Sequence, residues 1–92
     1  AFYDKIARIL PKNVNLIIKK NSWPVPHIFR LVQNKGNIED KEMYHTLNMG
    51  IGIILIIEED TGEKVIKQLK EFNLKAWVIG EVVKGEKEVI VE

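Results

Sequence analysis

The chain has no cysteine. Disulfides and thiolate metal sites are excluded, and a reducing compartment is the easy fit. Histidine is scarce too: His27 and His45 stand alone, not at metal-ligand spacing, and both read as ordinary surface positions at helix ends. Neither sign of charge dominates, since 14 basic and 13 acidic residues leave a net charge of +1. Non-specific nucleic-acid binding therefore has no bulk electrostatic support. No apolar run approaches the ~20 residues of a membrane helix. No basic segment followed by an apolar one opens the chain, so no signal peptide is expected. Internal repeats and low-complexity segments are also lacking.

What is present suits one small domain over residues 1–92. Hydrophobic residues make up 46% and charged residues 29%, a globular balance rather than a disordered one. Lysine, glutamate and isoleucine are abundant, a bias compatible with a thermophile. Phe2, Ile6, Ile9 and Leu10 predict a first helix over Phe2–Leu10, ended by Pro11. Val14, Leu16 and Ile18 alternate as a first strand. Trp23-Pro24-Val25-Pro26 is too proline-rich for regular structure. Pro26 suits the first position of a second helix, whose stripe is Ile28, Leu31 and Val32 and whose stop is Gly36. Asn37 is expected to cap a third helix reaching about Leu47, with Met43, Tyr44 and Leu47 on its apolar side.

Asn48-Met49-Gly50-Ile51-Gly52 then leads into Ile53-Ile54-Leu55-Ile56-Ile57. The β-branched run reads as a second strand, Gly50–Ile57, buried on both faces. The glycines before it allow close approach by either a ligand or a neighbouring backbone. Asp60-x-x-Glu63 resembles a capping box for a fourth helix bearing Val65, Ile66, Leu69 and Phe72, supported by a Glu63–Lys67 pair. Asn73 is a left-handed stop. Ala76–Val83 is a third strand, with Gly80 as a bulge or close-approach point. Lys84–Lys87 turns it into a fourth strand, Glu88–Val91. The predicted class is α+β: helices on a mixed, mainly antiparallel four-stranded sheet, partly ferredoxin-like.

Other constellations carry little chemistry. Ser22 lacks a nucleophile-elbow context. Glu58-Glu59-Asp60 reads as a solvated strand-to-helix turn rather than a Mg²⁺ site. Lys19-Lys20, with Lys12, reads as a solvated strand end rather than a phosphate contact. Trp23 and Phe29 read as packing residues rather than base-stacking ones. Gly50-x-Gly52 precedes a strand, whereas a dinucleotide fingerprint follows one.

Several segments in order carry more: Phe2-Tyr3-Asp4-Lys5-Ile6-Ala7-Arg8-Ile9-Leu10-Pro11, Ser22-Trp23-Pro24-Val25-Pro26-His27-Ile28-Phe29, Gly36-Asn37-Ile38, Glu42-Met43-Tyr44-His45-Thr46-Leu47-Asn48-Met49-Gly50-Ile51-Gly52, and Ala76-Trp77-Val78-Ile79-Gly80-Glu81-Val82. Together they resemble the C-terminal part of the phosphoribosylformylglycinamidine cyclo-ligases, also called aminoimidazole ribonucleotide synthetases. The resemblance covers nearly the whole chain. It departs where the family usually has Asn-Ile-Pro-Arg and this chain has Lys5-Ile6-Ala7-Arg8, and where arginine and phenylalanine are common at His45 and Leu47.

The resemblance implies a two-domain, cytoplasmic homodimer of purine biosynthesis. In that family ATP activates the formyl amide oxygen of formylglycinamidine ribonucleotide, and an internal nitrogen displaces phosphate to close the ring. It further implies that this chain is most of a C-terminal domain, without the N-terminal half that binds ATP and Mg²⁺. No catalytic residue, metal ligand or cofactor is expected within the chain. Expected partners are the ribonucleotide, the N-terminal domain and a second copy, with no nucleic acid or membrane. Asn48, Gly50, Gly52 and Arg8 are the implied substrate-binding residues. Missing upstream strands would leave an exposed sheet edge, which invites self-association. The alternative is a stand-alone, non-catalytic module that binds a metabolite or partner chain.

Overall fold

The computed structural model describes residues 1–92. Helix α1 (Phe2–Ala7) leads to strand β1 (Val14–Ile18), followed by a 3₁₀ turn over Lys20–Ser22. Helices α2 (His27–Gly36) and α3 (Asp40–Thr46) come next. A second 3₁₀ turn, Glu59–Thr61, opens α4 (Gly62–Glu71), and strands β2 (Gly80–Lys84) and β3 (Val89–Val91) close the chain. The class is α+β, as predicted.

The sheet has three strands, not four, in the order β2-β1-β3. Strand β1 pairs antiparallel with β2 (Leu16 opposite Val82) and parallel with β3 (Leu16 opposite Val89). With one pairing of each kind, the sheet is mixed without being mainly antiparallel. The missing strand is the expected one at Gly50–Ile57. Residues 51–57 carry no helix, turn or ladder, and Ile53 is 84% exposed. High β-propensity describes a side chain that fits a half-buried pleated surface. No strand of this chain offers that surface to these residues. For the same reason the expected strand over Ala76–Val83 pairs only from Gly80 onward.

Helix boundaries shift for local reasons. Asn37 adopts φ 51° and ψ 49°, so it is the left-handed stop of α2 rather than the cap of α3. Helix α1 ends at Ala7, before Pro11. The Asp60–Glu63 capping box does not form: Asp60 lies in the 3₁₀ turn, Thr61 precedes the helix, and its Oγ1 donates to the Glu58 carbonyl at 2.8 Å. Glu63 and Lys67 make no ion pair. Asn73 does take the expected left-handed conformation, φ 60°. Gly80 is a close-approach point, because a Cβ there would overlap the Ile17 carbonyl of the paired strand.

The core gathers where α1, α3 and β1 meet. Phe2, Ile6 and Leu10 line one side of the α1 segment, and Leu16 and Ile18 line one face of β1. Trp23, Met43, Tyr44, Met49 and Val89 complete it. Phe2 stacks on Trp23 with centroids 5.9 Å apart and meets Tyr44 edge-on at 5.6 Å. Each such side chain contributes roughly 1.5–3 kcal/mol when fully buried. Trp23 is thus a core residue, and Phe29 packs against its margin.

Candidate functional site

The segment after α3 is a tight turn held from three directions. Met49 (φ 53°) and Gly50 (φ 95°) are both left-handed, and the Ile51 N–H donates to the Asn48 carbonyl at 2.9 Å. Two successive positive φ angles fold the chain back within four residues. The Gly50 N–H donates to the Asn48 side-chain Oδ1 at 2.9 Å. The buried Trp23 Nε1 donates to the Met49 carbonyl at 3.0 Å, and the Met49 side chain is fully buried. Pro26 presses on the other side: a Cβ on Gly50 would lie 2.5 Å from its Cδ.

Gly50 is therefore required by the chain's own backbone and packing. Gly52 is not. It is exposed, its φ is not positive, and a Cβ there would meet nothing within 4 Å. Its N–H has no partner in the chain, and neither has the Asn48 side-chain amide nitrogen. The turn thus presents outward two donors that the fold does not use. The Gly50 N–H, in contrast, is already engaged by Asn48.

The structure brings Asn48, Gly50 and Gly52 together. Arg8 belongs to another element, at the C-terminal end of α1, where it is exposed and makes no ion pair. Helix α1 is tied to α3 at its other end. His45 Nε2 lies 2.8 Å from Asp4 Oδ2, and the Ala1 nitrogen donates to the His45 carbonyl. The His45 contact holds the Asp4 carboxyl below the ordinary carboxylate range.

A second polar group joins α2 to α3. Asp40 accepts from Gln33 Nε2 at 2.8 Å, Lys20 Nζ at 3.2 Å and Arg30 Nη1 at 3.4 Å. The Gln33 hydrogen bond first, then Lys20, holds its carboxyl below the usual range. Two shallow grooves exist elsewhere, neither lined by the predicted site residues. One of about 350 Å³ is lined by Tyr3, Lys20, Lys41 and Val89–Val91, the other of about 220 Å³ by Ile66, Lys70 and Leu74–Trp77. No three potential metal-ligating side chains converge on one point. No helix is long and apolar enough to cross a membrane.

Sequence reasoning singled out Asn48–Gly52 but ran Gly50 and Gly52 into a strand, and so missed both the turn and what holds it. Trp23 read as a packing residue and Pro26 as the first position of a helix, although an aromatic N–H beside two fixed-φ residues is also suited to pin a neighbouring carbonyl.

Residues 2–92 match the family model described as AIR synthase related protein, C-terminal domain. Similar proteins carry the name phosphoribosylformylglycinamidine cyclo-ligase. The one from Pseudothermotoga lettingae is 48% identical over 88 residues, 96% of this chain and 26% of the relative. That from Carboxydothermus hydrogenoformans is 50% identical over 88 residues, 96% of this chain and 25% of the relative. That from Caldanaerobacter subterraneus is 51% identical over 90 residues, 98% of this chain and 27% of the relative. The chain spans about a quarter of the length of the curated relatives it matches.

Proposed function

Given that the chain belongs to the AIR synthase related family, as its C-terminal domain, we propose that it works as part of a phosphoribosylformylglycinamidine cyclo-ligase and completes the substrate pocket. The reaction is the ATP-dependent closure of formylglycinamidine ribonucleotide to aminoimidazole ribonucleotide, with release of ADP and phosphate. The whole enzyme is a cytoplasmic homodimer on this reading. The observation that carries the pocket role is the Asn48–Gly52 segment: a turn pinned by Asn48 and Trp23 whose exposed Asn48 amide nitrogen and Gly52 N–H have no partner in the chain.

In this role the Asn48 amide hydrogen-bonds the substrate's amide or ribose. The Gly52 N–H meets a phosphate or carbonyl oxygen, which can approach closely because no Cβ intervenes. Gly50 serves the same contact by shaping the turn. Arg8, free of any acidic partner, supplies a charge-assisted contact to the ribotide phosphate. On this reading ATP and Mg²⁺ bind elsewhere in the enzyme. Both ligands are assigned to polypeptide outside these residues, and no step is derived through them.

The test is steady-state kinetics on the full-length enzyme carrying Asn48→Ala. Loss of one substrate hydrogen bond of about 1–1.5 kcal/mol predicts a roughly tenfold fall in kcat/KM. Unchanged turnover and unchanged KM remove Asn48 from the site. The 92 residues alone are expected to show no ATP hydrolysis in the presence of substrate. Hydrolysis by them would sink the division of labour.

A further inference from the structure

All ten buried residues lie between Phe2 and Met49, except Val89. From Gly50 to Glu88 none is buried, although this stretch holds the most apolar run of the chain. Ile53, Leu55, Ile56 and Ile57 are 84%, 58%, 42% and 45% exposed, and only Ile54 reaches the core's margin. The backbone there is equally unpartnered. From Gly52 to Ile57 no N–H donates and no carbonyl accepts a hydrogen bond within the chain. The radius of gyration is 14.1 Å, against about 12 Å for a packed domain of this length.

Six consecutive residues with free backbone groups and no proline or charge form a template for strand pairing. We propose that Gly52–Ile57 is the docking strand for a β-strand supplied by polypeptide of the same cyclo-ligase outside these 92 residues, and that this pairing anchors the substrate-facing turn. The inference rests on the family reading for the existence of that polypeptide. About three-quarters of the length of each relative lies outside the match, so ample chain is at hand.

The chemistry of the segment selects this occupant over a second copy. Its side chains are apolar on both alternating faces, the mark of an interior strand covered above and below. Two copies joined edge to edge through this strand would satisfy one row of backbone groups and leave an apolar face in water. Cover from a larger body of polypeptide meets both needs. The site is also continuous with the turn: Gly52 is the last residue of one and the first of the other. Pairing from Ile53 onward, which leaves the Gly52 N–H to the substrate, therefore fixes the direction in which the turn presents its donors.

Amide hydrogen exchange tests this on the full-length protein and on the 92-residue chain. The expected result is exchange of residues 53–57 slowed by about 100-fold or more in the full-length protein only. Fast exchange in both overturns the proposal. Slow exchange in both also overturns it, because the chain then satisfies the segment itself or, where protection grows with concentration, through a second copy. Leu55→Asp supplies an independent check, lowering the soluble yield or the protection of the full-length protein while leaving the 92-residue chain unchanged. Cyclo-ligase turnover measured on the same full-length sample separates the two readings. Slow exchange without turnover would sink the proposed function and leave the strand docking intact.

Discussion

At the scale of single residues, the two glycines of the turn do different work. Gly50 sits at φ 95° against Pro26, whereas Gly52 has open space around it. Gly50→Ala should therefore destabilise the fold by about 1–3 kcal/mol, through a left-handed non-glycine backbone and a contact that the proline ring cannot relax. Gly52→Ala should change stability by less than about 0.5 kcal/mol. Urea denaturation of the two variants checks the difference. A large loss for Gly52→Ala would mean that its environment is not open. The contrast also makes Gly52 the cleaner probe of the pocket, since an effect on substrate binding would not be a folding effect. The Gly-x-Gly spacing was legible in the sequence, but the distinction was not. Conformation is a property of one residue's backbone, while crowding at Gly50 comes from Pro26, 24 positions away in the chain.

At the scale of elements, two side chains reinforce joints between separate pieces of the chain, the first beside backbone bonds from the Gly85 N–H to the Asn13 carbonyl and from the Lys87 N–H to the Val14 carbonyl. Asn15 Oδ1 on β1 accepts from the Glu86 N–H at 2.8 Å and the Glu88 N–H at 2.9 Å, tying down the loop between β2 and β3. Gly85 packs directly against this side chain. Asn15→Ala should cost about 1–2 kcal/mol, and faster exchange of the Glu86 and Glu88 amides should accompany it. Unchanged exchange at those amides would show that the loop is held otherwise. Nothing in the β1 alternation pointed to this, because a strand asparagine reads only as an outward polar position.

Asp40 is the second joint, between α2 and α3. Its folded-state pKa lies below 3.8, so its contribution is present above that value and is lost as pH falls through the lower folded-state value. The side chain is nearly half exposed, so the contribution stays below about 1 kcal/mol. Urea midpoints should differ between wild type and Asp40→Asn at pH 7 and converge as the pH falls below 3.8. A constant difference would assign the loss to packing instead of charge.

At the scale of the molecule, the chain is a compact half joined to an open one, 41 × 36 × 18 Å overall. The α1–α3–β1 half holds almost all of the buried side chains, and the limb from Gly50 to Val78 holds none. In isolation the 92 residues should bind a hydrophobic dye such as ANS while keeping their helix content. Ile53→Lys with Leu55→Lys should lower the dye fluorescence several-fold without lowering the urea midpoint. An unchanged signal would place the apolar surface elsewhere, on the exposed face of α2 at Ile28, Leu31 and Val32, or around Phe72, Leu74 and Trp77.

By itself, the sequence determined the α+β class, the positions of all four helices and the glycine-marked segment Asn48–Gly52, though not its turn, since Gly50 and Gly52 read as the start of a strand. Those features depend on local periodicity, on proline and glycine chemistry, and on motifs a few residues long. The tertiary structure alone decided the number of strands, the different roles of Gly50 and Gly52, and the positions of Trp23 and Pro26 beneath the turn. Each of these depends on which distant residue lies alongside. The Ile53–Ile57 run shows the boundary most clearly. Its composition specifies a buried strand, but burial needs a second surface, and this chain does not offer one.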